Sequence, residues 1–289
     1  MAEQAVDNRP TLVRFQTGVP ILNRDMTTSA ELEKKTSKHA LGWIPQTPDH
    51  RDALFSYSVS TVVAKDLPAQ IDLPQLPIWD QGDLGSCTGH GINRIVLFDA
   101  VKQGLLKASD IPSRLMTYWG ERAMEGTINY DAGAQIRDGI KFIAKYGTCL
   151  EDGTSSWPYI VSKFKDRPPS KCWKAALQFQ ALRYMPIRQT TQELRGCLAE
   201  GYPIVFGFVV YPEIEDVGSD GILPMPSIDN GPLGGHCVAI VGYNDITRLF
   251  KCANSWGEGW GDKGYFYMPY EYMVRTDLSM DFWTIRTVG

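Results

Sequence analysis

Histidine and cysteine are both scarce in this 289-residue chain, with four of the first and six of the second. That cysteine content is far below the ~8–10% of a disulfide scaffold. Cys87, Cys149, Cys172, Cys197, Cys237 and Cys252 form no C-x-x-C pair, which argues against a structural zinc knuckle. No apolar run approaches the ~18 residues that cross a bilayer. No basic excess exists either: 33 acidic against 29 basic residues give a net charge of -4, so neither nucleic acid nor an anionic membrane is an expected partner. The first ten residues lack a basic stretch leading into an apolar core, so a signal peptide is not expected and the cytoplasm is the default location. A hydrophobic fraction of 43% and a charged fraction of 21% remain, which are those of an ordinary globular protein.

Residues 1–60 read differently from the rest. They are polar and turn-rich, with Glu31-Leu32-Glu33-Lys34-Lys35 and the Pro45 to Pro48 cluster, as in an extended leader. Residues 61–289 are denser in apolar residues. Helices are expected over 86–106, 113–122 and 134–145, the last stopped by Gly147. Strands are expected over 203–211, 236–243, 249–253, 264–268 and 281–285. Helices first and strands second predict an α+β protein of two unlike lobes, with its site in the groove between them.

Cys87 closes the glycine-rich turn Gln81-Gly82-Asp83-Leu84-Gly85-Ser86 and opens the first helix. A helix N-terminus favours a thiolate, although a small buried cysteine would fit there equally well. A thiolate needs a base. His39 and His50 lie in the leader and His90 shares the helix of Cys87, which leaves His236, at the mouth of an apolar strand. Asn254 could orient that imidazole without adding charge, and Trp256 could shield the bond from water.

Gln81…Gly85-Ser86-Cys87, Gly235-His236-x-Val-x-x-Val-Gly-Tyr243 and Asn254-Ser255-Trp256-Gly257-x-Gly-Trp-Gly261 together resemble the papain-like cysteine peptidases over about residues 67–289. The family spacing of about 130–150 residues from nucleophile to partners fits His236 and is slightly exceeded by Asn254. Asp80 to Thr88, with Gly42-Trp43-Ile44-Pro45 upstream, is similar to the bacterial branch. The resemblance implies a helical left lobe, an antiparallel sheet or barrel as right lobe, and a cleft between them. It implies a thiolate–imidazolium pair of Cys87 and His236, oriented by Asn254, that hydrolyses peptide bonds through an acyl-enzyme, as an endopeptidase. The Gln81 amide and the Cys87 N–H would hold the oxyanion. Gly133 would pair with an extended substrate, Ile136 would wall the main specificity pocket, Gly235 would floor it, and Trp256 would line the cleft. No cofactor or metal is expected. A peptide substrate is the expected partner, the chain is expected to be a monomer, and residues 1–60 are expected to pack on the catalytic domain, partly over the cleft.

Departures from the family are specific. Leu84 stands where a cysteine is usual, its disulfide partner near residues 130–133 is missing too, Thr88 replaces an aromatic, and Ala132-Gly133-Ala134 stands for a Gly-Gly element. With Cys87 as nucleophile five cysteines remain, an odd number that fits a reduced interior.

Rival readings exist. Gly85-x-Cys87-x-Gly89 matches a nucleophile elbow with Cys for Ser, but no buried strand precedes it. Cys87 with His90, or His236 with Cys237, could bind metal, at poor ligand spacing. Gly259-x-Gly261-x-x-Gly264 is followed by a strand pattern and so fails as a dinucleotide loop. A catalytically silent binding protein would not need Gln81, Cys87, His236 and Asn254 together.

Overall fold

The computed structural model describes residues 37–47, 49 and 67–289. Three helices come first: α1 (Cys87–Lys102), α2 (Arg114–Glu125) and α3 (Ile136–Tyr146). The short helices α4 (Ser170–Ala176), α5 (Thr191–Ala199) and α6 (Tyr270–Val274) lie further along the chain. The strands are β1 (Gln70–Asp72), β2 (Ala181–Pro186), β3 (Ile204–Val210), β4 (Gly234–Asn244), β5 (Leu249–Ala253), β6 (Tyr265–Pro269) and β7 (Ser279–Val288). They form one antiparallel sheet in the order β2-β7-β3-β4-β5-β6, with β1 on the far end of β4.

Local chemistry explains most boundaries. Ser113 caps α2 by accepting from the Met116 N–H, and Gly126, at φ 74, ends it. Thr190 caps α5 through the Glu193 N–H. Leu105 and Leu106, expected in the first helix, fall outside it, because Gly104 turns the chain at φ 74. Ala134 and Gln135 are likewise outside α3, because both peptide groups of Ala134 pair with another segment.

Two apolar cores result. One lies within the sheet-rich half, around Phe206, Phe208, Phe250, Phe266 and Tyr272. The other lies between α1, α3 and the sheet, around Ile92, Val96, Ile140, Val205 and Trp283. The second seats α1 directly on β4. Gly91 makes this possible, since a Cβ there would sit 2.9 Å from the Cys237 sulfur and 3.0 Å from Val205. Any larger residue would push the helix that begins with Cys87 away from the strand that carries His236.

A buried ion pair braces α1 from behind. Arg114 grips Glu151 with two bonds of 2.7 Å, and its Nη1 donates to His90 Nε2 at 3.1 Å. The second His90 nitrogen, Nδ1, then donates to the Ser86 carbonyl at 3.0 Å. Burial and the Arg114 charge hold this imidazole neutral, its pKa far below the ordinary value. Arg114→Met leaves Glu151 buried without its partner. We expect urea denaturation to show a loss of about 3–5 kcal/mol of stability for that variant.

Candidate active site

Cys87 is the first residue of α1, and no side chain caps that helix, because the Ser86 hydroxyl is bound to Tyr159 at 2.6 Å instead. The free first turn leaves the Thr88 N–H near the thiol, and the Cys237 and Gly42 N–H groups also face it. His236 lies in β4 beside Cys237. Its Nε2 donates to Asn254 Oδ1 at 2.8 Å. Its Nδ1 is buried without a hydrogen-bond partner among the described residues, and so is the nitrogen left to exchange a proton. Trp256 lies flat on the imidazole, with ring centres 4.6 Å apart. Asn254 Oδ1 also accepts from the Ser255 N–H at 2.8 Å, which fixes the amide's orientation.

Gln81 is fully buried and tied from several sides. Its N–H donates to the Ser255 carbonyl at 2.9 Å, and its Oε1 accepts from the Ser255 hydroxyl at 2.6 Å. Tyr159 donates to the Gln81 carbonyl at 2.9 Å. The side-chain Nε2 is thereby aimed outward, where it donates to the Ala40 carbonyl at 3.1 Å and the Leu84 carbonyl at 2.9 Å. Thus Gln81, Cys87, His236 and Asn254 come together from four separate segments.

The substrate-binding residues expected from the sequence are also adjacent to this centre, but another part of the chain occupies the space. Residues 39–46 run through it. His39 stacks on Trp256 at 4.3 Å. Gly42 lies so close to the nucleophile turn that a Cβ there would fall 1.8 Å from the Gly85 carbonyl oxygen. The Trp43 N–H donates to the Gly235 carbonyl at 3.0 Å. Ala134 brackets Trp43, taking the Ile44 N–H at 3.0 Å and giving its own to Gly42 at 2.8 Å, in parallel sense. The Gly133 N–H is not available for such pairing, since it donates to the Tyr118 hydroxyl at 3.1 Å. The backbone pairing expected of Gly133 is therefore made by Ala134. Gly133 contributes its bare Cα, because a Cβ would meet the Gly42 oxygen at 2.2 Å. Ile136 is fully buried in the cluster that contains Trp43 and Cys87. Residues 1–36, 48 and 50–66, and so most of the expected leader and its boundary at 61, lie outside the described residues.

Burial acts on both members of the expected thiolate–imidazolium pair. Burial pushes the Cys87 thiol up to about 12, outweighing the amides that face it. Burial likewise brings His236 down to about 4, outweighing the Asn254 bond, and the nearby His39 lowers it further. Both shifts favour the neutral form of the group. The physical reason is the exclusion of water from both charges at once.

Sequence reasoning assigned no role to Tyr159, Gly207 or Asp281, and named Ala134 only within the Ala132-Gly133-Ala134 element. The Gly42-Trp43 pair was visible as a motif, but nothing in the sequence placed it beside Cys87.

The papain family cysteine protease model matches residues 129–281, just over half of the chain and beginning beyond Cys87. An uncharacterized peptidase C1-like protein of Acanthamoeba polyphaga mimivirus is 38% identical over 89% of this chain and 90% of its own length. Among solved structures, xylellain, a cysteine protease from Xylella fastidiosa, is 38% identical with a TM-score of 0.79, covering 90% of this chain and 100% of xylellain. Procathepsin L 3 of Tenebrio molitor larval midgut shares the fold at 20% identity, with a TM-score of 0.60 over 77% of this chain and 71% of its own. Fold and relatives define a cysteine-type peptidase that acts on peptides. The chain belongs to the papain family of cysteine proteases, and xylellain is its similar bacterial neighbour.

The lowered His236 value has a consequence for stability. Unfolded, the ring would titrate near 6.5; folded, it resists protonation down to about 4. The contribution is therefore complete above pH 6.5 and is lost as the pH falls through 4, by on the order of 3 kcal/mol. Melting temperatures from pH 7 to pH 4 should fall more steeply for the native protein than for His236→Gln.

Proposed function

We propose that Cys87, His236, Asn254 and Gln81 carry out peptide hydrolysis in this chain, and that residues 39–46 keep them inactive until displaced. The observation that carries the reading is the hydrogen bond from Gln81 Nε2 to the Ala40 carbonyl: the segment offers a carbonyl to the donor where a substrate oxyanion would sit.

With the segment gone, water reaches both groups, and the proton of the Cys87 thiol passes to His236 Nδ1. The thiolate attacks the scissile carbonyl carbon. The oxygen takes the negative charge and is held by Gln81 Nε2 and the Cys87 N–H. His236 returns the proton to the leaving amine, the C–N bond breaks, and a thioester remains. Water, deprotonated by His236, attacks the thioester, releases the acid and restores the thiol. Asn254 keeps the imidazole in the tautomer that presents Nδ1. Action as an endopeptidase is part of the proposed reading.

The segment is held as a ligand is held. Glu215 takes the Lys38 N–H at 3.0 Å and pairs with its ammonium at 3.4 Å, while Arg137 donates to the Thr47 carbonyl at 2.7 Å. These contacts support the leader as an intramolecular inhibitor.

Incubation with an epoxysuccinyl peptide under reducing conditions tests the site. Labelling should fall on Cys87 and disappear, with peptide hydrolysis, in Cys87→Ala. A folded protein that takes no label contradicts the assignment. Gln81→Ala should lower kcat by about 10²–10³. Gly42→Ala places a methyl where only hydrogen fits and leaves the catalytic groups untouched. In the full chain it should raise the rate of Cys87 alkylation at least tenfold. An unchanged rate would show that residues 39–46 do not control access.

A further inference from the structure

A single hydroxyl joins the two ends of the turn that leads to the nucleophile. Tyr159 donates its proton to the Gln81 carbonyl at 2.9 Å, and its oxygen lies 2.6 Å from the Ser86 hydroxyl. These partners stand 78 and 73 positions before it in the chain. A phenol has one proton to give and lone pairs to accept with. A carbonyl can only accept, so the Tyr159 proton belongs to Gln81. The short bond to Ser86 must then run the other way, from the serine hydroxyl to the phenol oxygen. The direction of both bonds is thereby settled.

The phenol is itself anchored. Its ring meets His90 edge-on, with centres 4.9 Å apart, and the Arg114 guanidinium lies over its face at 4.5 Å. The chain just before it is fixed twice. The Trp157 N–H donates to the Leu150 carbonyl at 2.9 Å, and the Ser113 hydroxyl donates to the Trp157 carbonyl at 2.6 Å. Burial raises the phenol pKa above its ordinary value of 10.0, so the proton stays on the oxygen at neutral pH.

What the hydroxyl joins are the carriers of the two oxyanion donors. Gln81 carries the side-chain Nε2. Ser86 begins the peptide group whose N–H belongs to Cys87. A developing oxyanion needs both donors at bonding distance at once, so their separation matters as much as the place of either. Ser255 holds Gln81 from another side, beside Asn254, and bonds to no residue of the helix start among the described residues. Tyr159 is the side chain that reaches both.

We infer that Tyr159 is a positioning residue for hydrolysis: by tying Gln81 to Ser86 it fixes the distance between Gln81 Nε2 and the Cys87 N–H. This rests on the reading of those two groups as the oxyanion donors. Tyr159 bonds to neither the thiol nor the imidazole; it acts through the two donors it spaces. Misplacing a reacting group by about 1 Å costs on the order of 10² in rate, so a loosened tie is felt in the chemical step.

The test uses the full-length chain carrying Gly42→Ala as parent. Tyr159→Phe keeps the ring against His90 and Arg114 and removes only the hydroxyl. We expect it to lower kcat for a fluorogenic peptide by about 10–10². Alkylation of Cys87 by iodoacetamide, a displacement at saturated carbon that forms no oxyanion, should stay within about twofold of the parent. With Gln81→Ala already present, one donor is gone, and adding Tyr159→Phe should cost no more than about threefold. Ser86→Ala cuts the other end of the tie and should show the same split between hydrolysis and alkylation; it serves where Tyr159→Phe folds poorly. An unchanged kcat, an equal loss of hydrolysis and alkylation, or an undiminished effect beside Gln81→Ala overturns the role of Tyr159 and leaves the hydrolytic centre standing. No loss of kcat in Gln81→Ala alone overturns the donor reading beneath it. A folded parent that neither hydrolyses peptide nor takes label at Cys87 overturns the hydrolytic centre itself.

Discussion

Exclusion of water from the seam between α1 and β4 is the constraint on which the rest of this protein depends. The seam exists because Gly91 lets the helix lie on the strand, so that the thiol at the helix start meets the N–H of Cys237, the residue after His236. Residues 39–46 then complete the exclusion. In water a thiol and an imidazole sit close enough in pKa to exchange a proton. In this seam burial drives them in opposite directions, the thiol up and the imidazole down.

The polar framework around these groups is independent of residues 39–46. Gln81 is held by Ser255 and Tyr159, Asn254 by its own neighbour's N–H, and Ser86 by Tyr159 and His90. None of these bonds involves residues 39–46. What the segment supplies is the Ala40 carbonyl to Gln81, the Gly42 N–H to Cys87 and the Trp43 ring against Gly207 and Gly235. Parallel pairing of Trp43 with Ala134 also fixes the direction in which the segment runs.

Much of the fold was legible in the sequence. Helices α1, α2 and α3 and strands β3 to β7 were expected within a few residues of their observed limits. The errors have local causes: the left-handed Gly104 after α1, and Ala134 spent on pairing before α3. The elements left unread were short or weakly patterned. β1 has three residues, α4 has seven, and β2 carries exposed Leu182 and Arg183 in an irregular register with β7. Their partners lie far along the chain, where no local period reports them. The motifs around Cys87, His236 and Asn254 could be read because the chemistry needs particular residue types at particular places.

By itself the sequence determined which groups are available: one cysteine at a helix start, one suitable histidine, an asparagine followed by a tryptophan, and a glutamine ahead of the turn. It also shows a polar, turn-rich stretch over residues 1–60 ahead of a more apolar remainder. Only the tertiary structure decided their state and surroundings. Ala134 rather than Gly133 carries the backbone pairing because Tyr118 claims the Gly133 N–H. Trp43 and Asp281 meet across nearly the whole length of the chain. Burial among segments remote in sequence raises the Cys87 pKa and lowers that of His236. Desolvation and cavity shape are sums over neighbours in space, and adjacency along the chain does not contain them.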